Sequence, residues 1–570
     1  MKKMFLPVVM LAVVAGAFVS SCEEPKKLLR EEVVADFMFQ YTNLTPQQVT
    51  DIAGAESLAF SNSEKSPGYT LKLDDSTSLI VPEGTACMRL NDITLNVWRK
   101  DSSTLTFFVA VVDERTQLAT VFEAWLCGEN FFNQTLPPRE LQRHITTGFI
   151  AGSDVSGHRH KATKRLTGKV IQWSDELTLF GSHSYSASVP KGSLQTFCYP
   201  ADYYELDSRH WLYSRVEVEF SGEFVLDVID LYALKKIGVR LGFDAQDKFI
   251  AHLYSDAGAI RGQVAAFGPF SVSNQKMLST APEFMRVPVE LPVTKGMRFL
   301  YRPLDLTKPM TLEEVKEVAL NTKAWKGAFE TPGKEKKMLE HSTLLENRIF
   351  TLTFDDKTAW EYEIGKDFTM RFREGAGEWK SERYDAFEMD DQLVFFAHAT
   401  DGDCPIDGLQ YAIDLKNGLV TCIRSTFDDE ANPRVPRQQW LFGVINADGI
   451  TPSKRRHQFT DELLGHSYTW EYGDELASQH YYTSTESFSF AIFQNSEVGV
   501  MGSFPCKYVK IRDGVYLMSW IEMRSQGIQG ILLFNTKTMH DCGTCHGMTH
   551  DQTFEFNTFC AEARSAGQYN

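Results

Sequence analysis

The sequence predicts a mainly β protein built from four small antiparallel β-barrels, paired into two homologous halves. Three observations carry that expectation. Short runs of β-branched and aromatic residues, separated by Gly, Asp, Asn and Ser, fill most of the 570 residues. Several of them, such as 215–220 and 359–364, alternate with the period of two of half-buried strands. The chain also repeats itself: residues 69–77 return at 350–358, and 166–173 return at 463–470. The offset between matched residues drifts slowly, from 281 (Tyr69 to Phe350) through 301 (Asp113 to Asp414) to 305 (Glu217 to Glu522). A tandem duplication explains that drift.

The first element is an export signal over residues 1–21. Lys2 and Lys3 form a basic start, and the apolar run 6–19 is broken only by Pro7. A membrane-crossing helix needs roughly 20 apolar residues, and this run stops short of that before Val19, Ser20, Ser21 and Cys22. Those four positions resemble the lipobox of bacterial lipoproteins, which makes Cys22 the first mature residue and the site of lipid attachment; the alternative is an ordinary signal with a chance cysteine. Residues 22–35 are a charged tether. Its opening Glu23 and Glu24 point to an outer-membrane lipoprotein displayed at the cell surface, with a periplasm-facing protein as the alternative. The lipid, palmitate or a similar acyl chain, is the expected link to the membrane.

A formal net charge of −17, from 58 basic and 75 acidic side chains, repels phosphate backbones, so no nucleic-acid partner is expected. The ten cysteines are irregularly spaced and do not read as a disulfide framework. With Cys22 lipidated an odd number is left, so at least one thiol stays free.

Residues 36–150 form the first barrel and 158–267 the second. A hinge with a helix covers 268–340, and the third and fourth barrels cover 341–445 and 455–565. A short helix is expected near 45–52, where Pro46 takes the first helical position. A second is expected over 311–320, where Thr311 and Glu314 have capping-box spacing. Each helix is expected to pack at the entrance of a half. Asn417-Gly418 and Asp513-Gly514 sit where hairpin turns belong. Closing each set of short strands into a barrel removes exposed edges and leaves an interior able to hold one small ligand.

Residues 168–178, the strand ending at Glu217 and 238–242 in the first half, with 465–472, 514–522 and 543–547 in the second, resemble the MoaF family. That resemblance implies calycin-like (lipocalin-like) barrels in N-type and C-type pairs, here occurring twice. The same segments are distantly similar to phenolic acid decarboxylase, which implies a tyrosine pair, an arginine and a proton-donating glutamate around an aromatic acid. Carried over, Trp470 and Tyr472 fall near the tyrosine pair, and Glu522 falls on the glutamate. The arginine is missing from 484–493. In the first half Trp173, Asp175 and Glu217 take these places. In the third barrel Arg371 or Arg373 could supply the cation, but 396–399 (Phe, Ala, His, Ala) stands where the glutamate belongs. Trp173, Glu217, Trp470, Tyr472, Ser519 and Trp520 are therefore the candidate ligand-binding residues, and Glu522 is the candidate acid or base.

Cys542, Cys545 and His546 form a C-x-x-C-H sequence, the attachment pattern of c-type haem, and with His540 and His550 they could alternatively hold zinc. The repeat argues for neither, because these residues align with a strand at 237–242 that has no cysteine or histidine. On a strand Cys542 and Cys545 point to opposite faces. No cofactor is expected, with haem c or zinc as the alternative. His158 and His160, beside Lys161, Lys164 and Arg165, read as a solvated loop. The expected function is binding of a small, partly apolar molecule. The alternatives are a lyase or isomerase using Glu522, and a structural or protein-contact array. Oligomeric state is left open.

Overall fold

A computed structural model describes residues 46–569 apart from 56–59, 61–62, 101–104, 127–140, 156, 164, 167, 183–184, 192–196, 217–222, 245–246, 265–309, 322–336, 431–432, 474–476, 493–500, 523–526 and 550–552. The signal, Cys22, Glu217, His550 and most of the hinge lie outside the described residues. The rest is overwhelmingly β, with two short helices, as expected.

Helix α1 (Pro46–Ala55) precedes β1 (Glu64–Lys65), β2 (Tyr69–Leu73), β3 (Ser78–Val81), β4 (Ala86–Leu90), β5 (Ile93–Arg99), β6 (Thr106–Asp113), β7 (Leu118–Leu126) and β8 (Leu141–Ile150). These eight strands form one antiparallel sheet in the order β1-β4-β5-β6-β7-β8-β2-β3.

The second unit contains β9 (Lys161–Ala162), β10 (Lys169–Gln172), β11 (Glu176–Ser182), β12 (Tyr185–Pro190), β13 (Phe197–Glu205), β14 (His210–Val216), β15 (Phe224–Asp230), β16 (Lys235–Phe243), β17 (Phe249–Ala257) and β18 (Ala259–Val264). From β10 to β17 each strand pairs with the next. The chain then turns at Gly258 so that β18 pairs back onto β10, which closes the ring.

Helix α2 (Leu312–Asn321) leads to the third unit: β19 (Ile349–Phe354), β20 (Ala359–Ile364), β21 (Thr369–Glu374), β22 (Lys380–Arg383), β23 (Asp385–Asp390), β24 (Leu393–Ala399), β25 (Gly408–Asp414), β26 (Leu419–Thr426) and β27 (Arg437–Asn446). Its sheet order is β22-β21-β20-β19-β27-β26-β25-β24-β23. The first unit has no counterpart of the β21–β22 hairpin among the described residues. That hairpin falls in the interval over which the sequence offset grows from 281 to 301.

The fourth unit contains β28 (Gln458–Phe459), β29 (His466–Glu471), β30 (Ala477–Tyr481), β31 (Ser487–Ile492), β32 (Met501–Arg512), β33 (Val515–Glu522), β34 (Ile528–Asn535), β35 (His540–Met548) and β36 (Phe554–Tyr569). Here the ring closes through one long strand: β36 pairs with β35 along its first half and with β29 along its second. The closing seams of both rings carry a register shift, between Val170 and Ile171 in one and between His466 and Tyr468 in the other. The two rings also touch edge to edge where β18 pairs with the end of β36.

In both rings the strands are buried on two faces, and this decides where the site residues point. Leu212, Leu226, Val228, Ile237, Val239 and Leu241 face outward from the second ring and pack with Ile93, Leu95, Val97 and Phe107 of the first sheet. Leu517, Ile531, Leu533, Cys542 and Cys560 likewise pack outward against Phe387, Phe395, Ile423 and Trp440 of the third unit. The alternate residues of these strands line the ring interiors.

Val49 and Ala53 of α1 join the core between the first sheet and the second ring. Helix α2 starts at the expected capping box, with Thr311 N–H bonded to Glu314 Oε2 (2.7 Å) and Glu314 N–H to Thr311 Oγ1 (3.3 Å). It lies against both the third and the fourth units: Val315 and Ala319 pack with Ile406 and Phe427 of the third and with Met548 and Phe554 of the fourth.

Candidate functional site: two contrasting ring interiors

The interior of the fourth unit is aromatic. Tyr468 and Trp470 on β29, Phe488 and Phe490 on β31, Trp520 on β33, Phe534 on β34 and Phe559 on β36 share one buried cluster with Tyr472 and Tyr482. His480 stands among them, its ring centroid 5.1 Å from that of Phe488 and 6.4 Å from that of Trp520. Gly530 makes room for the Trp520 ring: a Cβ at 530 would lie 2.0 Å from the indole. Glu522 ends β33, half-buried, two residues beyond Trp520 on the same face, and Trp520 Nε1 donates to its Oε1 at 3.2 Å.

Polar groups are set among these rings: besides the tyrosine hydroxyls, the buried Asp541 lies opposite Ala561 of the cluster, and its charge acts on Tyr472 and Tyr482. His480 Nε2 lies 3.0 Å from Ser478 Oγ, while its Nδ1 is buried with no hydrogen-bond partner among the described residues. Burial holds the imidazole neutral, pushing its pKa down to about 3. The Tyr482 hydroxyl is driven well above the usual phenol range by burial, and the Trp470 indole lies beside it. Neither group closes a well-aligned hydrogen bond.

Trp470, Tyr472, Trp520 and Glu522 therefore come together. Ser519 faces the other way, and its hydroxyl donates to Gln438 Oε1 of the third unit at 2.6 Å. Gln438 Nε2 in turn donates to Gln529 Oε1 at 2.7 Å, and Gln529 lies 2.9 Å from His546 Nδ1. His546 Nε2 lies 2.8 Å from the Pro405 carbonyl, so Nε2 carries the proton and Nδ1 accepts from Gln529. Both imidazole nitrogens are thus committed to the junction between the third and fourth units, and burial pushes the His546 pKa down to about 4.

Cys542 sits in the outward cluster and Cys545 packs against the interior one, as strand alternation requires. Two thioether bonds to one porphyrin, or two thiolates on one zinc, need both sulfurs on one side, so this strand does not fit either group. Among the described residues no cluster of three His, Cys, Asp or Glu has metal-holding geometry.

The second unit fills the equivalent space with charge. Arg215, 1% exposed, forms a bidentate pair with Glu176, Nη1 to Oε1 at 3.0 Å and Nη2 to Oε2 at 2.9 Å. Lys236 Nζ lies 3.1 Å from Asp227 Oδ2 and 3.8 Å from Glu176 Oε1, and 4.6 Å above the Trp173 ring. The Tyr254 hydroxyl donates to Asp227, and the Tyr213 and Ser186 hydroxyls share a 2.5 Å bond. Burial alone would raise the Glu176 carboxyl, but the Arg215 guanidinium and Lys236 ammonium beside it reverse this and hold it well below the usual carboxylate range. Burial pushes the Tyr213 phenol up to about 12, and Tyr254, also beside the Asp227 carboxylate, goes well above its ordinary value. Of the residues anticipated here, Trp173 lies inside; the others of this network were not. The signal available for them was the polar half of each alternating strand, read as the solvent face.

The third unit buries a Tyr362, His398 and Tyr411 chain, with hydroxyl to Nε2 at 3.0 Å and hydroxyl to hydroxyl at 2.6 Å. His398 belongs to 396–399, the segment that stands where the resemblance places a glutamate, and burial lowers its pKa to about 4. Arg371 and Arg373 are corrected: they alternate with the buried Met370 and Phe372, lie on the outer face and pair with Glu363 and Glu361. His160 is corrected too. It is buried, not solvated, and lies 2.9 Å from Thr120 Oγ1.

Residues 457–568 match the sequence model of the MoaF C-terminal domain, so a MoaF-type β-barrel domain is present in the ring of the fourth unit. No curated protein matches the chain. Among solved structures, a Burkholderia vietnamiensis protein provisionally assigned as a beta-lactamase aligns at 12% identity over 18% of this chain and 95% of its own, with a TM-score of 0.16. A DUF3598-family protein of unknown function from Nostoc punctiforme aligns at 7% identity over 38% of this chain and 94% of its own, with a TM-score of 0.20.

Proposed function

We propose that the fourth unit binds a small, partly apolar molecule inside its aromatic ring, in a chain made of two duplicated halves and anchored through Cys22 to the outer membrane, facing the cell surface. The observation that carries the binding reading is a polar atom left open in an aromatic interior: His480 Nδ1, buried with no hydrogen-bond partner among the described residues. Binding sites combine an apolar lining with a few placed polar groups, and a buried polar atom without a partner costs stability unless something else supplies one. Neutral His480 offers a ligand hydrogen bonding and no charge, which favours an uncharged phenol, alcohol or carbonyl group over a carboxylate. The second unit supports the complementary role of scaffold, since Glu176, Arg215, Lys236 and Asp227 satisfy one another.

Native mass spectrometry of the purified chain, followed by extraction, tests the reading. A copurifying small molecule that is lost in Trp520→Ala and His480→Phe supports it, while an empty protein that takes up no phenol or carbonyl probe rejects it. The contact between Trp520 and Glu522 favours a second reading, a lyase or isomerase on a small aromatic or carbonyl compound with Glu522 as acid or base. Turnover lost in Glu522→Gln, with folding and binding intact, would select that reading.

A further inference from the structure

The β35–β36 hairpin of the fourth ring brings together two cysteines that sequence spacing keeps apart. Cys542 on β35 and Cys560 on β36 are direct cross-strand partners in an unbroken register from His540↔Glu562 to Met548↔Phe554. Antiparallel neighbours alternate between hydrogen-bonded and non-hydrogen-bonded pairs, and two bonds fix which kind this is. Just beyond one end of the ladder Ala563 N–H bonds the Met539 carbonyl at 2.7 Å, and beyond the other Thr549 N–H bonds the Thr553 carbonyl at 2.8 Å. Both belong to odd-numbered positions of this strand, so position 542 is a non-hydrogen-bonded one. There opposed Cα atoms approach to about 4.5 Å, inside the roughly 4.4–6.8 Å range that a disulfide spans. Both side chains leave the sheet on the same face and enter the same buried cluster against the third unit. Both are thiols in this structure.

We propose that Cys542 and Cys560 are a disulfide-forming pair that locks β35 to β36 when the chain folds in the presence of a disulfide donor. The thiolate of one cysteine attacks the donor disulfide and releases one donor thiol. The second cysteine then attacks the mixed disulfide and releases the other, so the protein loses two hydrogens and two electrons and the donor gains them. Both thiols are fully buried once the third unit covers this hairpin, and burial suppresses their ionisation. Exchange therefore belongs to folding, before the two units dock. Cys545, which points into the ring, takes no part.

The test refolds the whole chain without its signal from denatured, reduced protein in a mixture of reduced and oxidised glutathione. It then blocks free thiols under denaturing conditions and maps peptides without reduction. The expected result is a cross-linked pair of peptides holding residues 542 and 560, and an intact mass lighter by two hydrogen atoms that reverts on reduction. Cys545→Ser should keep the link, and Cys560→Ser should leave Cys542 open to alkylation. Recovery of both cysteines as alkylated thiols in folded wild-type protein, or a cross-link that joins either one to another cysteine, overturns the proposal. The mapping of wild-type protein decides the matter even if a variant fails to fold.

Discussion

Gly238 and Asp227 oppose each other across β15 and β16 so closely that a Cβ at 238 would lie 2.3 Å from Asp227 Oδ1 and 2.7 Å from the Tyr254 hydroxyl. The missing side chain lets the phenol reach over the strand to the carboxylate. Gly238→Ala is expected to push the two apart and destabilise the protein by about 1–3 kcal/mol, the usual range for overpacking a tight interior. Adding Tyr254→Phe should recover part of that loss. Urea unfolding of the single and double variants measures both.

Arg215 and Glu176 form a pair whose members protect each other. Arg215→Met leaves Glu176, among the described residues, with Lys236 as its cation within 4 Å, and breaking a buried pair from one side costs about 3–5 kcal/mol. The double variant Arg215→Met with Glu176→Gln should lose less than the sum of the two singles. A double-mutant cycle by urea unfolding gives the coupling.

The same pair sets an acid limit. The folded pKa of Glu176 lies below its unfolded value, so the stability it contributes is complete above about pH 4.3 and is lost as pH falls from there toward the folded value. Acid titration of the unfolding midpoint should show a loss below pH 4.3 that is smaller in Glu176→Gln.

Much of the architecture was legible because it depends on local pattern. The capping box at Thr311, the turn glycines Gly418 and Gly514, both at positive φ, and the alternating strand 359–364 were read from a few neighbouring residues each. Trp470, Tyr472, Trp520 and Glu522 were brought to one interior by the same alternation. What sequence did not reveal is which face of an alternating strand is inside. Ile237, Val239 and Leu241 look like an inward face and pack against the first sheet instead, while Lys236, Gly238 and Arg240 look solvated and line the ring. Ser519, next to Trp520, was assigned to the ring and lies at the junction for the same reason. Alternation gives parity, and only the neighbouring unit decides the sign.

The junction between the third and fourth units depends on Gln438, which accepts from Ser519 and donates to Gln529. Gln438→Leu strands both partners in a buried site, and an unsatisfied buried polar group costs about 1–3 kcal/mol. Unfolding of this variant should show the fourth unit melting earlier, whereas Gln438→Glu at neutral pH should be worse because it buries a charge. Tryptophan fluorescence from Trp440 and Trp520, on either side of the junction, follows the event.

Buried histidines give a pH response that begins above the carboxylate range. Burial depresses His160, His398 and His546 to about 4 and His480 to about 3, against about 6.5 in the unfolded chain. Between those values the unfolded state binds more protons, so stability is full above pH 6.5 and falls as pH drops toward 4. Each histidine contributes at most about 1.4 kcal/mol per pH unit. The unfolding midpoint should therefore decline already between pH 6.5 and 5, where Glu176 is still inert. His480→Phe, a replacement suited to its aromatic surroundings, should flatten that decline by its single share from pH 6.5 down to about pH 3. A midpoint independent of pH from 7 down to 5 would show that these imidazoles are not held neutral by burial.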